Sequence, residues 1–355
     1  MTNKTQKVLV PKFRFPEFRD EWEEKEISDI AELKKGNGLS KSKLTKEGRY
    51  KCILYGELFT TYTEKIDKVK SRTNFKEGVF SIIGDILIPS ATTTSAIDLA
   101  KATVIYEDNV LLGGDINIIR PSNKKVFDSL FLAYMLTHTK KHSIAKLAQG
   151  ITIIHLYSNS LNKLCLAIPS NILEQQKIAH CLSSIDTVIE LEGQKLNALR
   201  DHKKGLLQNL FPAEGKTLPK FRFPEFRDEP EWEEVLLGQN CEITTGRFDA
   251  NAMVENGRYR FYTCAKDYYF INNYAFDTDA LLISGNGANV GYIHHYKGKF
   301  NAYQRTYVLD QFSQNIFFIK YFLEKNLHER IFIEKKAGNT PYIVKSTLTD
   351  MVVLT

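Results

Sequence analysis

The chain has 355 residues, of which 43% are hydrophobic and 25% charged, and its formal net charge is +6 at pH 7. This composition is that of a soluble globular protein long enough for two domains, and its mild positive charge permits a phosphate-binding surface without requiring one. The five cysteines are scattered without a C-x-x-C pair, which argues against a disulfide framework or a zinc site. There is no secretory h-region and no apolar run of about 18 residues, so we expect a cytoplasmic protein that does not enter a membrane.

The first recognisable element is the segment PKFRFPEFRDE at residues 11–21, which recurs unchanged at residues 219–229. A tryptophan and two glutamates resume after each copy, at residues 22–24 and 232–234. The shift from 11 to 219 is 208 residues, far longer than the roughly 20–50-residue period of a solenoid or propeller. Each period must hold a whole domain. The sequence therefore predicts two domains of the same architecture. The repeated segment forms the same part of each domain, called the frame below, and the rest of the two domain sequences differs.

Each copy of this frame precedes a β-rich stretch and then a helical one. Short β-branched and aromatic runs separated by turn residues occupy residues 50–120 and 258–312. Helical stretches follow near 127–139 and 315–334. The predicted fold class is therefore α+β, with two β-rich domains.

The two halves can also be aligned within these stretches. Leu87–Ser90 aligns with Leu282–Gly285, and Leu161–Leu166 aligns with Leu348–Val353. We predict that these segments occupy equivalent positions in the two domains.

Between the domains the sequence predicts one long helix. Asn171 and Glu174 follow Pro169 as a capping box, in which Asn171 accepts from the first-turn amides and Glu174 reaches back to the helix start. Apolar residues then recur at alternating steps of four and three, the pattern of a coiled coil, until Phe211-Pro212 ends the helix. About 40 residues at ~1.5 Å each give a rod of roughly 60 Å, although burial of the helix within one domain is an alternative. The positions of this apolar seam are Ile178, Leu182, Ile185, Ile189, Leu196, Leu199, Leu206 and Leu210.

The segment GITIIHLYSNSLNKLCLAIPSNILEQQKIAHCLSSID (Gly150–Asp186) and the RFPEF…WEE opening of each half resemble the specificity (HsdS-type) subunits of type I restriction–modification systems. In that family a target-recognition domain runs through a final strand and a proline into a conserved helix with an EQ motif. The resemblance covers nearly the whole chain. It implies target-recognition domains at 1–169 and 212–355, joined by a helical spacer at 170–211.

The resemblance also implies a function. A subunit of this family carries no chemistry of its own but reads a bipartite, gapped sequence in double-stranded DNA. It docks methyltransferase subunits, which use S-adenosylmethionine, and restriction subunits, which use ATP and Mg²⁺, so no cofactor is expected to bind this chain. The expected subunit interface comprises the seam residues together with Glu174 and Gln175 at the start of the helix.

The chain departs from the family pattern near its last residues. Aligned to the first half, Thr355 falls just before the position that matches Pro169, so a second EQ motif and a second long helix do not follow. In the family the two helices pair antiparallel. We therefore expect a truncation, and we expect another polypeptide or self-association to cover the seam.

No catalytic motif competes with this interpretation. The sequence has no G-x-x-x-x-G-K-[ST] loop for ATP, no Asn/Asp-Pro-Pro-Tyr/Phe for adenine methylation and no nuclease pattern that fits the predicted strands. The glycine-rich loop Gly285–Gly291 precedes a predicted strand rather than the helix that a dinucleotide-binding loop opens. His294 and His295 have no carboxylate or cysteine at ligand spacing. We therefore expect neither enzymatic activity nor a metal site.

The candidate DNA contacts are loops in which amides, hydroxyls and cations stand beside glycines. Asn and Gln pair with adenine edges, and Arg and Lys with guanine, although an ordinary surface turn explains any single one of these residues equally well. In the first domain the candidates are Lys34, Lys35, Asn37, Ser90, Thr92, Thr93, Thr94, Gln149 and Thr152. In the second they are Arg247, Asn286, Asn289, Gln304, Arg305, Lys336, Asn339 and Thr340.

Two other functions stay open on the sequence. The chain could be the specificity portion of a single-chain restriction–methylation enzyme, which a reading frame extending upstream into a methyltransferase domain would reveal. It could also be a non-DNA scaffold of two β-rich binding domains on a rod.

Overall fold

The computed structural model describes residues 11–334 and 342–355. The chain divides into two compact units, Met1–Glu192 (unit 1) and Gly193–Thr355 (unit 2). Each unit combines β-sheet and helix around hydrophobic cores of its own, which confirms the predicted α+β class and the internal duplication. Within the described residues, no helix is both long and apolar enough to cross a membrane.

Unit 1 is built from short strands and short helices that precede one long helix. Its strands are β1 (Trp22–Glu26), β2 (Ala31–Lys35), β3 (Tyr50–Ile53), β4 (Lys65–Ile66), β5 (Arg72–Thr73), β6 (Val79–Phe80), β7 (Ile86–Pro89), β8 (Ala91–Thr92), β9 (Thr103–Ile105), β10 (Leu111–Leu112), β11 (Ile116–Pro121), β12 (Ile154–His155) and β13 (Cys165–Pro169). Its short helices are α1 (Ile27–Ile30), α2 (Tyr55–Thr60), α3 (Ser129–Tyr134), α4 (Lys141–Leu147) and α5 (Ser158–Asn162), with a π-helical turn at Met135–Thr139 and 3₁₀ turns at Lys41–Lys43 and Ala96–Leu99.

The central sheet of unit 1 has the strand order β2-β11-β7-β9-β4, and only the β9–β4 pair is parallel. Side chains of successive strand residues point to opposite faces, so the apolar run of β7 serves two cores. Ile86 and Ile88 belong to the cluster that contains Leu132 of α3. Leu87 belongs to the cluster that contains Ile53 of β3. The sheet therefore separates a helical layer from a layer that includes the four-stranded sheet β5-β3-β10-β6.

The long helix α6 (Ile172–Leu210) begins and ends where the sequence predicts. The Asn171 side chain accepts from the backbone amide of Leu173 at 3.0 Å, which confirms its capping role. The other half of the predicted capping box is wrong, because Glu174 is buried and accepts from Arg14 and Trp22 instead. Residues 172–192 of the helix belong to unit 1 and residues 193–210 to unit 2.

Unit 2 has fewer and longer strands. They are β14 (Glu234–Leu236), β15 (Glu242–Thr245), β16 (Tyr259–Tyr262), β17 (Tyr269–Ile271), β18 (Phe276–Ser284), β19 (Ile293–Ala302), β20 (Thr306–Asp310) and β21 (Val352–Leu354). Its helices are α7 (Leu237–Asn240), α8 (Ile316–Glu334) and α9 (Lys345–Thr349), with 3₁₀ turns at Pro224–Phe226 and Ala250–Ala252. The main sheet has the order β15-β20-β18-β19-β16-β17, and its core packs against α8 through Leu281, Ile283 and Leu323.

The same small sheet closes the frame of each unit. In unit 1, β1 pairs antiparallel with β13, and Lys25 lies opposite Leu166. In unit 2, β14 pairs antiparallel with β21, and Val235 lies opposite Val353. Leu166 and Val353 therefore occupy equivalent positions, which confirms the alignment predicted for this part of the two halves.

Candidate nucleic-acid interface

Two of the predicted loops of unit 1 meet at one edge of its central sheet. Lys35 at the end of β2 lies opposite Asn117 of β11, and Pro89 at the end of β7 lies opposite Ile116. Because β11 runs antiparallel to both neighbours, β2 and β7 end where β11 begins. The loop after β2, with Lys35 and Asn37, therefore lies beside the loop that starts at Ser90.

The third predicted loop of unit 1 is a hairpin at residues 149–155 that joins the same edge. Backbone bonds run in both directions between Gln149 and His155, at 2.9 and 2.7 Å. Its strand β12 pairs with β8, where Ile154 lies opposite Thr92. Residues 34–37, 90–94 and 149–155 thus form one surface, called the unit 1 loop surface below.

The side chain of Asn117, which was not among the predicted site residues, anchors the segment that directly follows this hairpin. Asn117 is only 1% exposed, and its amide nitrogen donates to the carbonyl oxygen of Leu156 at 2.8 Å. Its amide oxygen accepts from the Ser158 hydroxyl at 2.8 Å. Leaving such a buried polar group unpaired costs roughly 1–3 kcal/mol. An asparagine inside the apolar run Ile116–Ile119 is the sequence feature that could have identified this buried polar anchor.

The predicted residues on the unit 1 loop surface divide into two groups by exposure. The Ser90 hydroxyl is buried and donates to Asp115 at 3.5 Å, and Thr92 is buried with its hydroxyl 2.9 Å from that of Thr94. These two side chains shape the loops from within. The half-buried Lys34 pairs with Glu32 at 3.2 Å, and the exposed Lys35 lies 4.0 Å from Asp115. The other exposed candidates are Asn37, Thr93, Thr94, Gln149 and Thr152.

Two glycines allow the loops after β2 and β15 to approach the backbone that precedes the neighbouring strands β11 and β20, respectively. A Cβ on Gly36 would lie 2.0 Å from the carbonyl oxygen of Gly113. A Cβ on Gly246 of unit 2 would lie 1.8 Å from the carbonyl oxygen of Ala302. No side chain fits at such distances, so the close approach at the end of β2 and of β15 requires glycine.

In unit 2 most of the described candidates also gather at one edge of the main sheet. Thr245 at the end of β15 lies opposite Tyr307, and Ser284 at the end of β18 lies opposite Thr306, at the start of β20. The loops after β15 and β18 and the turn before β20 are thus neighbours. Arg247, Gln304 and Arg305 are exposed there, and Asn286 and Asn289 are half-buried.

A further loop of unit 2, at residues 263–267 after β16, joins this edge and was missed in the sequence. The amide nitrogen of Asn289 donates to the carbonyl oxygen of Cys264 at 3.0 Å, and the Cys264 thiol donates to the carbonyl oxygen of Arg305 at 3.4 Å. His294 Nε2 lies 3.0 Å from the carbonyl oxygen of Ala265. Burial lowers the pKa of His294, so the neutral imidazole is favoured there. Residues 246–248, 263–267, 285–289 and 304–305 form the unit 2 loop surface.

Aromatic and basic side chains extend beside the unit 2 loop surface. The Arg260 guanidinium lies 4.2 Å from the ring centroid of Tyr268 and 4.5 Å from that of Tyr296, and donates to the Tyr262 hydroxyl at 3.3 Å. That hydrogen bond raises the pKa of Arg260. The exposed ring of Tyr268 and the fixed guanidinium of Arg260 can contact bases and phosphates. The sequence RYRFYTCAKDYYF at 258–270 contains this combination of basic and aromatic residues, which was not among the predicted contacts.

Three of the predicted contacts, Lys336, Asn339 and Thr340, lie outside the described residues. The loop Gly285–Gly291 leads into strand β19, as predicted, and not into a helix. His295 lies 2.7 Å from Asp279, and the described residues contain no group of three or more His, Cys, Asp or Glu that could hold a metal ion.

The predicted interface residues of α6 fall into buried and exposed sets. Glu174 and Gln175 are 1% and 0% exposed and bind partners within unit 1, so they are not surface residues. Gln175 accepts from the backbone amide of Asp128 at 2.9 Å and donates to the carbonyl oxygens of Val126 and Pro169. Ile178 and Leu210 are half-buried and pack against the cores of units 1 and 2, respectively. The exposed seam residues are Leu182, Ile185 and Ile189 in unit 1 and Leu196, Leu199 and Leu206 in unit 2.

Comparison with known proteins identifies the family to which this chain is similar. The family model described as "Type I restriction modification DNA specificity domain" matches residues 19–201 and 229–353. The type I restriction enzyme EcoDI specificity subunit of Escherichia coli is 42% identical over 123 residues, which cover 35% of this chain and 27% of that protein. The putative type I restriction enzyme MjaX specificity subunit of Methanocaldococcus jannaschii is 29% identical over 231 residues, which cover 62% of this chain and 53% of that protein.

The two alignments thus span 27% and 53% of these relatives' own lengths. A solved structure supports the fold over a longer stretch. The crystal structure of the type I restriction–modification system S subunit from M. genitalium superposes with a TM-score of 0.70 at 20% sequence identity. The superposition covers 94% of this chain and 84% of that one, which confirms the predicted fold.

Proposed function

The chain belongs to the family of the type I restriction modification DNA specificity domain, and we propose that it reads a bipartite, gapped target in double-stranded DNA. Unit 1 reads one half of the target through its loop surface, and unit 2 reads the other half. DNA between the two halves is not read. The chain supplies specificity and no chemistry.

The observation that carries this proposal is that both units place their candidate loops at the same edge of an equivalent sheet. The strand order is β2-β11-β7 in unit 1 and β15-β20-β18 in unit 2. The loop residues themselves differ. The DNA major groove shows a distinct donor and acceptor pattern for each base pair, so loops with different side chains suit different half-sites.

The charge and chemistry of the two loop surfaces fit duplex DNA. Exposed Lys35 and Arg305 supply cations for phosphates or guanine edges, and Asn37, Gln149 and Gln304 supply amides for adenine edges. A scaffold for protein partners, the alternative function, would favour contiguous apolar patches in these loops.

We further propose that α6 and its surroundings dock the methyltransferase subunits. The exposed leucines and isoleucines of its seam are an apolar surface that a partner can cover. In unit 1 they adjoin an apolar groove of about 420 Å³ lined by residues that include Trp22, Phe131, Tyr134, Ile178, Leu182 and Ile185. Methylation with S-adenosylmethionine and ATP- and Mg²⁺-dependent restriction are assigned to the partner subunits.

Exchange of one unit tests the proposed function. Residues 212–355 are replaced by the second domain of another family member, and adenine methylation is mapped in cells that also carry the methyltransferase subunit. We expect a two-part gapped motif from the original chain. The exchanged chain should change one half of that motif and keep the other.

A motif in which both halves change, or a continuous methylated sequence, would refute the proposal that each unit recognises one half of the target. Absence of any sequence preference in a DNA retardation assay with the methyltransferase subunit would favour the scaffold. The reciprocal exchange of residues 1–169 is the matched control and should alter only the other half.

A further inference from the structure

The hairpin at residues 149–155 presents an apolar tip to solvent. Ile151 is 98% exposed, and Ile153 and Tyr157 beside it are about half exposed. Ile151 therefore contributes nothing to the core of unit 1. Single exposed apolar residues are common on proteins, so the surroundings of Ile151 decide what it can do.

The hairpin fixes the position of this tip. Gly150 has a φ of +126°, and a Cβ there would lie 2.1 Å from the carbonyl oxygen of Ile153, so the turn requires glycine. The paired backbone bonds between Gln149 and His155 close the hairpin, and Asn117 holds the segment that follows it. Ile151 is thus held out from the loop surface by an ordered turn.

Exposed polar side chains lie close to Ile151, together with the half-exposed Ile153 and Tyr157. Thr152 follows Ile151 directly and Gln149 precedes it by two residues, and both are exposed; β12 of the hairpin pairs with β8, which leads to the exposed Thr93. The core of a protein-binding site needs a larger contiguous apolar patch. The DNA major groove presents polar base edges and one apolar group, the 5-methyl of thymine. One fully exposed isoleucine beside an amide and a hydroxyl, with only the half-exposed Ile153 and Tyr157 as apolar neighbours, matches that pattern.

We infer that Ile151 contacts the 5-methyl group of a thymine in the half of the target that unit 1 reads. This inference rests on the proposed function. Gln149 and Thr152 hydrogen-bond to the edges of adjacent bases, and Ile151 distinguishes thymine by its methyl group. Ile151 is then a specificity-determining residue at that position.

Uracil replacement tests this contact. The complex of the full chain with its methyltransferase subunit is titrated against duplexes that carry the mapped target. Each thymine of the unit 1 half is replaced, one at a time, by uracil, which pairs identically and lacks only the 5-methyl group. We expect one replacement to weaken binding about fourfold, as for the loss of one buried methyl-sized group. The Ile151→Ala variant should bind the thymine and uracil duplexes equally at that position.

Several results would overturn the inference. A unit 1 half-site without thymine on either strand would do so, as would indifference to uracil at every position. A thymine preference that persists in Ile151→Ala would show that another side chain makes the contact. If Ile151→Ala lowered assembly with the methyltransferase subunit instead, Ile151 would be a protein contact.

A matched control variant is Ile333→Ala in α8 of unit 2, which removes another strongly exposed isoleucine, 72% exposed. Its ratio of thymine to uracil affinity should equal that of the original chain. The two levels of the proposal fail separately. A target that is not bipartite would refute the proposed function, whereas a bipartite target indifferent to uracil would refute only this inference.

Discussion

Arg14 and Arg222 are the same residue of the repeated segment, yet they have different partners in the two units. The Arg14 guanidinium donates twice to the Glu174 carboxylate, at 2.7 Å each, and once to the carbonyl oxygen of Asp20. The Arg222 guanidinium donates to the carbonyl oxygens of Glu229 and Pro230. In both units the arginine closes the turn of its own segment. Only in unit 1 does the described part of the chain supply a carboxylate from a helix.

This difference separates two roles of the repeated segment. Its turn is local, because every residue that forms it lies within the repeat or directly after it. Its attachment to a helix is not local. In unit 1 the segment binds the start of α6 through Glu174 and Lys177, whereas in unit 2 the amide of Phe221 donates to the carbonyl oxygen of Asn209, near the end of α6. One sequence therefore serves as a frame at both ends of the same helix.

In the repeated segment the residues are the same and their partners differ. In the two loop surfaces the backbone hydrogen bonds are the same and the side chains differ. The backbone amide of Ser90 donates to the carbonyl oxygen of Asp115 at 2.8 Å, and that of Gly285 donates to the carbonyl oxygen of Arg305 at 2.8 Å. Asp115 and Arg305 therefore stand at equivalent positions with opposite charge. If the two units read DNA, this position alone predicts different half-sites.

Removal of the two arginines should give the largest contrast between the units. Arg14→Ala leaves the buried Glu174 without its cation, which should lower the free energy of unfolding of unit 1 by about 3 kcal/mol. Arg222→Ala removes only hydrogen bonds at the surface and should cost unit 2 less than about 1 kcal/mol. Native-state hydrogen exchange of β13 and β21 reports each unit separately. Equal losses in the two variants would contradict the proposed asymmetry of the frame.

Exchange of one cation on each loop surface should change DNA binding in a unit-specific way. Arg305→Gln should relax one base pair of the unit 2 half-site at a cost of about 1–3 kcal/mol, because a guanidinium can bind guanine through two hydrogen bonds. Lys35→Gln should weaken all sequences alike and lower the slope of log affinity against log salt by about 1, as expected for a phosphate contact.

Both variants are measured as complexes with the methyltransferase subunit at several salt concentrations. Lys65→Gln is the control, because β4 lies at the opposite end of the strand order from β2. A change in the unit 1 half-site caused by Arg305→Gln would argue against separate readers.

The smallest expected effect is a pH dependence in unit 2. Burial lowers the pKa of His294 below its unfolded value of 6.5, so the folded state binds protons less readily than the unfolded chain. The stability from neutral His294 is present above about pH 6.5 and is lost as the pH falls below it. Urea unfolding followed through Trp232 in a Trp22→Phe background should show this loss. The His294→Gln variant should reduce it, and an unchanged profile would exclude His294 as its source.

Local sequence was sufficient to predict where helix α6 begins and ends. Helix α6 ends before Phe211-Pro212 as predicted, because proline and the end of the apolar repeat are local signals. Asn171 caps the helix for the same reason. The prediction for Glu174 was wrong because its partner, Arg14, lies 160 residues away and no spacing rule connects them.

The candidate sites were predictable as loops but not as surfaces. Polar turn residues predicted loops at 34–37, 90–94 and 285–289, beside glycine in the first and last, although Lys34 and Lys35 lie in β2 and Thr92 lies in β8. Their neighbours were not marked, since Asn117 stands inside an apolar strand and Arg260 lies among aromatic residues that composition assigns to a core. Burial and long-range contact decided the roles of both.

The sequence by itself determined the duplication, the α+β class, the long helix and most of the loops, because periodicity and turn chemistry are properties of neighbouring residues and an exact repeat is visible when the two halves are compared. The tertiary structure alone decided which polar side chains share a surface and which are buried within it. Pairing of β11 with β2 and β7 brings residues 34–37 and 90–94 together, and the β8–β12 pair adds residues 149–155. Such pairings depend on the closure of long chain loops around a core, which no local pattern records.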